Sequence, residues 1–267
     1  QSTMKLIFRI WTSIMSDLSY HAKIRLYVPN ELMLRKTTEL NIKQSHYLIN
    51  VMRKKIHDTI LVFNEINGEF LAEIQIYNKK LISVEVIKKN RKTEKKTDVW
   101  VLFAPVKKTP TEYIIQKATE LGASKIIPVI TERTITKNLN LKRFQDIAIE
   151  ASEQCERITI PEILPLRKLN DVIDRWVEKR TIYYGDETMR NAKQSTNNLN
   201  KSNKASCGAI LVGPEGGFTM KELSYLKQKK FVIPINLGQR ILKSDTAVVT
   251  ALVLWHTLNG DMKNCFY

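Results

Sequence analysis

From Lys23 to Asn90 the apolar residues fall in short clusters of strand length, one of them with a period of two. Arg25–Val28 and Thr59–Phe63 are two such clusters, and Glu69–Tyr77 is a third. Leu81–Ile87 alternates apolar and polar with a period of two, so one of its faces is expected to be buried. Asn67-Gly68 lies between the second and third clusters. Both residue types accept positive φ, which predicts a tight hairpin there. Ser45–Arg53 reads instead as a short helix, ending in Arg53, Lys54 and Lys55. Those cations complement the helix dipole, or they contact phosphate. By strand count, residues 24–92 form a small β-barrel-like module.

The charged run Asn90–Thr97 marks a boundary, and the pattern then changes. Continuous apolar runs at Val99–Ala104, Lys125–Ile130, Thr181–Tyr184, Ala209–Val212 and Phe231–Leu237 predict buried strands. Helical segments separate them: Glu112–Leu121 closed by Gly122, Leu141–Arg157, Asp171–Val177, and Thr219–Lys227 with a Thr219/Glu222 capping box. This alternation assigns residues 98–267 to an α/β domain with a parallel sheet. A last helix is expected from Ser244 or Asp245, either of which offers a capping oxygen. From Ala247 to Leu258 it is apolar on almost every face, so it should be buried in a core or against a second subunit. Residues 1–23 are expected to be an N-terminal extension without a signal-peptide cleavage site. Met189–Ser206, rich in Asn, Ser and Lys, is expected to be an exposed insertion. No apolar run is long enough for a membrane span, so no membrane partner is expected.

Charge changes this picture. The 267 residues carry 43 Lys+Arg against 27 Asp+Glu, a formal net charge of +16. Such an excess points to a polyanionic partner, nucleic acid before membrane surface. Three widely spaced cysteines (Cys155, Cys207, Cys265) suggest a reducing compartment rather than a disulfide scaffold. Four scattered histidines offer no metal-ligand spacing, and no metal site is expected. His46 and His256 are read as packing residues.

Two loops carry the candidate chemistry. The strand Ala209–Val212 runs into Gly213-Pro214-Glu215-Gly216-Gly217, and the strand ending at Leu237 runs into Gly238-Gln239-Arg240. Glycines let a ligand approach the backbone closely, or simply make a tight turn. Neither loop is a P-loop or a dinucleotide fingerprint. Glu215 would repel phosphate and suits hydroxyls or a cationic ligand. Cations after a strand, as at Arg240 and Lys243, fall where α/β sheets place ligands. A nucleotide hydrolase would need a phosphate-binding Lys and Mg²⁺ carboxylates as well.

Together, Gly213–Gly217 and Leu237-Gly238-x-Arg240-Ile241-Leu242 resemble the signature of the SPOUT methyltransferases, and within them the RsmE family. His46, Val51–Arg53, Lys117–Gly122, Thr131–Thr134 and Glu150–Ile163 extend the resemblance over residues 24 to about 260. Gln239 stands where the family pattern has proline, Lys243 where it has arginine, Ser244 threonine, Asp245 glutamate, and His57 glycine. The resemblance implies a PUA-like β-barrel RNA-binding domain followed by a parallel-sheet SPOUT domain with a C-terminal trefoil knot. It further implies a homodimer that methylates N3 of a uridine in 16S ribosomal RNA, in the free RNA or the small ribosomal subunit, using S-adenosyl-L-methionine in the cytoplasm. Leu211, Gly213, Glu215, Gly217, Leu237, Gly238, Ile241, Leu242 and Thr246 are the implied cofactor contacts. Arg240 is the expected catalytic cation, with a shaping salt bridge to Glu215 as its plainer role. Arg25, Arg53, Arg133 and Arg157 are expected to hold RNA phosphates. A non-catalytic RNA-binding ribosome-assembly protein would explain the charge and leave the glycine loops idle.

Overall fold

The computed structural model describes residues 24–77, 81–93, 98–136, 138–176, 179–189 and 207–264. The expected extension 1–23 and the insertion beyond Met189 lie outside the described residues. The chain divides into two compact units, Gln1–Lys95 with Glu153–Thr159, and Lys96–Ser152 with Ile160–Tyr267.

The first unit contains β1 (Arg25–Tyr27), β2 (Thr37–Glu39), α1 (Ile42–His46), β3 (Thr59–Asn64), β4 (Gly68–Tyr77) and β5 (Ile82–Arg91). The strands pair in the order β1-β3-β4-β5-β2. β1 runs parallel to β3 and the other pairs are antiparallel. Three register shifts between β4 and β5 bend the sheet around one core, in which Leu26, Leu48, Ile60, Val62, Ile74, Ile82 and Val84 are buried. The hairpin differs from expectation: Gly68 pairs with Asn64 and takes φ 94°, but Asn67 is not in the left-handed region. Asn64 explains this, since its Oδ1 accepts from the amides of Ile66 (3.1 Å) and Asn67 (2.7 Å) and closes a three-residue turn. The helix begins earlier than expected, where Asn41 and Gln44 form a capping box, and continues as a π turn over Tyr47–Val51. His46 on it is exposed.

Arg25 requires a correction. It is buried (7% exposed) and its guanidinium pairs with Glu69, donates to the Arg157 carbonyl (2.8 Å) and lies 3.5 Å from the Phe63 ring centroid. Glu69 also accepts from Arg91 and Asn90. Arg25 is therefore a core ion-pair residue, and burial and pairing remove it from phosphate binding. Arg157, half-buried, donates from Nε to Thr159 Oγ1 at 2.8 Å, and Arg53 is exposed in a left-handed turn residue (φ 52°).

The second unit contains β6 (Asp98–Phe103), α2 (Lys108–Glu120), β7 (Lys125–Ile130), α3 (Leu141–Gln154), β8 (Glu162–Ile163), β9 (Arg167–Lys168), α4 (Leu169–Asp174), β10 (Thr181–Gly185), β11 (Cys207–Val212), α5 (Met220–Lys227), β12 (Val232–Ile235) and α6 (Ser244–Asn259). The order β12-β10-β11-β6-β7-β8, with β9 also on β7, is parallel throughout. Helix α2 starts before Glu112 because Pro110 sits in its first turn, where no amide donor is needed. Helix α6 buries Ala247, Val248, Ala251, Leu252, Trp255 and His256, packs against α2 and β11, and leaves Val249, Val253 and Leu254 half-buried. Its N-cap is Lys243, whose ammonium has no acceptor for a backbone amide, and the Ser244 hydroxyl donates to the Gly213 carbonyl at 2.9 Å rather than capping the helix. Among the described residues, no helix is long and apolar enough to cross a membrane.

Candidate cofactor site

A cavity of about 240 Å³ opens beyond the carboxyl ends of β10, β11 and β12. Parallel sheets gather ligands at this end, because the loops leaving adjacent strands diverge there. Gly213, Gly217, Leu237, Gly238, Arg240, Ile241 and Leu242, all expected in the site, line the cavity. The two glycine loops therefore share one space. Ser244 ties them together through its bond to Gly213, so the start of α6 fixes the spacing of both.

Each loop is built by local rules. Gly217 takes φ 67°, and its amide donates to the Pro214 carbonyl at 2.9 Å, closing the turn that follows β11. Gly213 lies under the Phe218 ring, which would stand 3.1 Å from a Cβ placed there. Helix α5 then starts with its full capping box, Thr219 Oγ1 accepting from the Glu222 amide and Glu222 Oε2 from the Thr219 amide. In the other loop, Asn236 Oδ1 accepts from the Gly238 amide at 2.8 Å, and Gly238 takes φ 110°. With open space around it, Gly238 needs no Cβ for conformational reasons rather than contact.

Three expected contacts fall outside the cavity lining. Leu211 is fully buried in the core under the sheet (0% exposed), because its side chain alternates away from the strand end. Glu215 and Thr246 are exposed. Thr246 follows the helix start, where Asp245 Oδ1 takes its amide at 2.7 Å. Among the described residues, Arg240 and Glu215 form no ion pair, so the bridge that would merely shape the pocket is not made. Arg133, expected on phosphate, instead lines the cavity and donates to the Gly216 carbonyl.

Sequence reasoning missed a third loop. Gly185 ends β10, Asp186, Glu187 and Thr188 follow it, and all four line the same cavity. Asp186 is buried (5% exposed), and its carboxylate accepts from the Thr188 amide (3.0 Å), the Thr188 hydroxyl (2.7 Å) and the Tyr184 hydroxyl (3.3 Å). Burial and the neighbouring carboxylate push the Tyr184 hydroxyl well above its ordinary pKa, so it stays a donor. The usable signal was position alone: this loop also leaves a parallel strand at its carboxyl end. The cavity thus offers apolar lining (Leu237, Leu242, Ala247), open backbone at the glycines, two guanidiniums (Arg133, Arg240) and the exposed carboxylate of Glu187. Such a set suits an uncharged heterocycle carrying a charged tail. Among the described residues, no cluster of three or more His, Cys, Asp or Glu is placed to hold a metal.

The comparisons agree with this arrangement. Residues 93–256 match the RNA methyltransferase domain family, and residues 40–87 the RNA methyltransferase PUA domain family. A ribosomal RNA small subunit methyltransferase E from Rickettsia conorii is 34% identical over 229 residues, covering 85% of this chain and 93% of its own. One from Buchnera aphidicola (Schizaphis graminum) is 31% identical, covering 89% and 97%. The crystal structure of a ribosomal RNA small subunit methyltransferase E from Neisseria gonorrhoeae bound to S-adenosyl methionine is similar at 26% identity and a TM-score of 0.79, covering 89% of this chain and 98% of that one. With a PUA domain, a parallel-sheet methyltransferase domain and this extent of identity, the chain belongs to the ribosomal RNA small subunit methyltransferase E family of RNA methyltransferases.

Proposed function

We propose that the chain transfers the methyl group of S-adenosylmethionine to N3 of a uridine in 16S ribosomal RNA. The observation that carries this reading is the cavity shared by the loops after β10, β11 and β12. Its residues fit the cofactor: the apolar lining suits adenine, and the glycine backbones leave amides and carbonyls open to the adenosine. When bound, S-adenosylmethionine supplies an electrophilic methyl group on a sulfonium. The protein's task is then to orient the base and to stabilise the negative charge left on the ring when N3 loses its proton. Arg240, exposed on the cavity wall between Gly238 and Ile241, is the residue for that task. A guanidinium aimed at developing charge acts mainly in the transition state. The base must leave any stack to reach it.

On this reading residues 24–92 grip RNA and 98–267 carry out the transfer, with Arg53 and Arg157 as phosphate contacts. The chain acts as a cytoplasmic homodimer, and the half-buried Val249, Val253 and Leu254 of α6 supply the apolar stripe that a partner subunit would cover. The strand order β12-β10-β11-β6 and the tie from Ser244 back to Gly213 support the trefoil threading that the family resemblance implies. Calorimetry with S-adenosylmethionine, followed by mass mapping of methylated small-subunit RNA, tests the reading. Cofactor binding with a new methyl on uridine N3 is expected. Absence of cofactor binding would overturn it.

A further inference from the structure

Opposite charges flank the two adjacent glycines of the β11–α5 loop. A Cβ on Gly216 would stand 3.3 Å from Arg133 Cδ, and one on Gly217 would stand 3.2 Å from Glu187 Oε1. The two side chains thus lie against neighbouring residues of one short backbone stretch, and both line the cavity.

Both side chains are exposed, and both project from turns that hydrogen bonds pin in place. Arg133 projects from a turn in which the Thr131 amide donates to Thr134 Oγ1 (2.9 Å) and the two threonine hydroxyls meet at 2.8 Å. The next amide, Glu132, donates to Glu222 Oε1 at 2.8 Å, so the α5 capping carboxylate, itself buried, also locks the turn that carries Arg133. One guanidinium nitrogen donates to the Gly216 carbonyl, which leaves the rest of the planar fork for a ligand. Glu187 opens the short turn Glu187–Met189, which the buried Asp186 pins through Thr188.

A fixed cation and a fixed anion on one backbone stretch match the zwitterion of an α-amino acid. We propose that Arg133 holds the carboxylate, and Glu187 the ammonium, of the methionyl end of S-adenosylmethionine. This rests on the proposed function, whose cofactor it orients. It reassigns Arg133 from RNA phosphate to cofactor, and gives Glu187 the cation-binding role that the sequence suggested for Glu215.

Three ligands separate the charges in calorimetry on the full chain. S-adenosylmethionine carries both groups, decarboxylated S-adenosylmethionine only the ammonium, and 5′-methylthioadenosine neither. Arg133→Ala should weaken S-adenosylmethionine about tenfold or more, the scale of one charged hydrogen bond, and leave the decarboxylated ligand unchanged. Arg133→Lys should restore part of the loss. Glu187→Gln should weaken both ammonium-bearing ligands by a similar factor. Neither variant should alter 5′-methylthioadenosine binding, which also reports an intact pocket. Equal losses for all three ligands would overturn the proposal, as would unchanged S-adenosylmethionine affinity with weakened RNA binding by Arg133→Ala. A wild-type chain that binds none of the three would overturn the methyltransferase reading itself, whereas wild-type binding with unaffected variants overturns only this assignment.

Discussion

Replacing Arg25 by alanine should loosen the first unit rather than remove an RNA contact. The Arg25 and Glu69 side chains are 5% and 2% exposed, so the substitution leaves a buried carboxylate without its innermost partner. Breaking a buried pair from one side costs about 3–5 kcal/mol. Glu69 keeps Arg91 at 2.9 and 3.0 Å and Asn90 at 2.6 Å, which argues for the lower end. Lost contacts to the Arg157 carbonyl and the Phe63 ring work against full recovery. A loss of about 3 kcal/mol corresponds to roughly a hundredfold in an equilibrium constant. Hydrogen exchange with mass spectrometry reads this directly, since core amides exchange through opening of their own unit. Amides of β1, β3 and β4 should lose about a hundredfold in protection, while those of β6 and β11 serve as the internal reference. The same cluster gives a pH signature. Burial alone would raise the Glu69 carboxyl, but hydrogen bonds from Arg91, Arg25 and Asn90 outweigh it and hold its pKa below the ordinary value. The stability this provides is present above the unfolded carboxylate's pKa and is lost as pH falls through the lower folded one. Protection of β1 and β3 should therefore collapse on acidification in the wild type. Unchanged protection in Arg25→Ala, together with weaker RNA binding and a smaller salt slope, would refute the buried-pair argument.

Arg240→Ala should lower single-turnover methylation by at least about a hundredfold while leaving S-adenosylmethionine affinity near wild type, since a lost oxyanion-type donor acts on the transition state. Parallel loss of both quantities would remove it from catalysis. Val249→Asp, placing a charge in the half-buried stripe of α6, should convert a sedimenting species of about twice 30.9 kDa into one of single-chain mass. A wild-type monomer at micromolar concentration would refute the dimer. Arg53→Ala should leave cofactor binding intact and lower the salt slope of RNA affinity by about one, the contribution of one phosphate contact. An unchanged slope would make Arg53 a solvated surface charge.

Much of the second unit was legible because its signals are local. Val99–Ala104 and Ala209–Val212 are continuous apolar runs, and the Thr219/Glu222 capping box spans three residues. The short strands β2, β8 and β9 carry too few residues to show a period, and only Thr38 of β2 is buried. Arg25 was misread for a different reason. Its partners Glu69 and Arg157 lie 44 and 132 residues away, and no spacing rule connects them. The two glycine loops announced themselves by composition, whereas Asp186 and Glu187 look like any acidic pair until the sheet brings their strand between the other two.

The segment Glu153–Thr159 has a consequence for how the chain is made. Its carbonyls at Glu156 and Arg157 receive Arg91 and Arg25, and its Glu153 carboxylate receives the Tyr27 amide at 2.9 Å. The first unit is thus completed by residues translated long after β5. A nascent chain halted near Lys95 would present the Arg25–Glu69–Arg91 cluster with its carbonyl acceptors missing. Those acceptors become available only once the residues after α3, through Thr159, have been made. A chain cut between the two units would yield an N-terminal fragment prone to proteolysis, and adding the 153–159 peptide in trans should protect it.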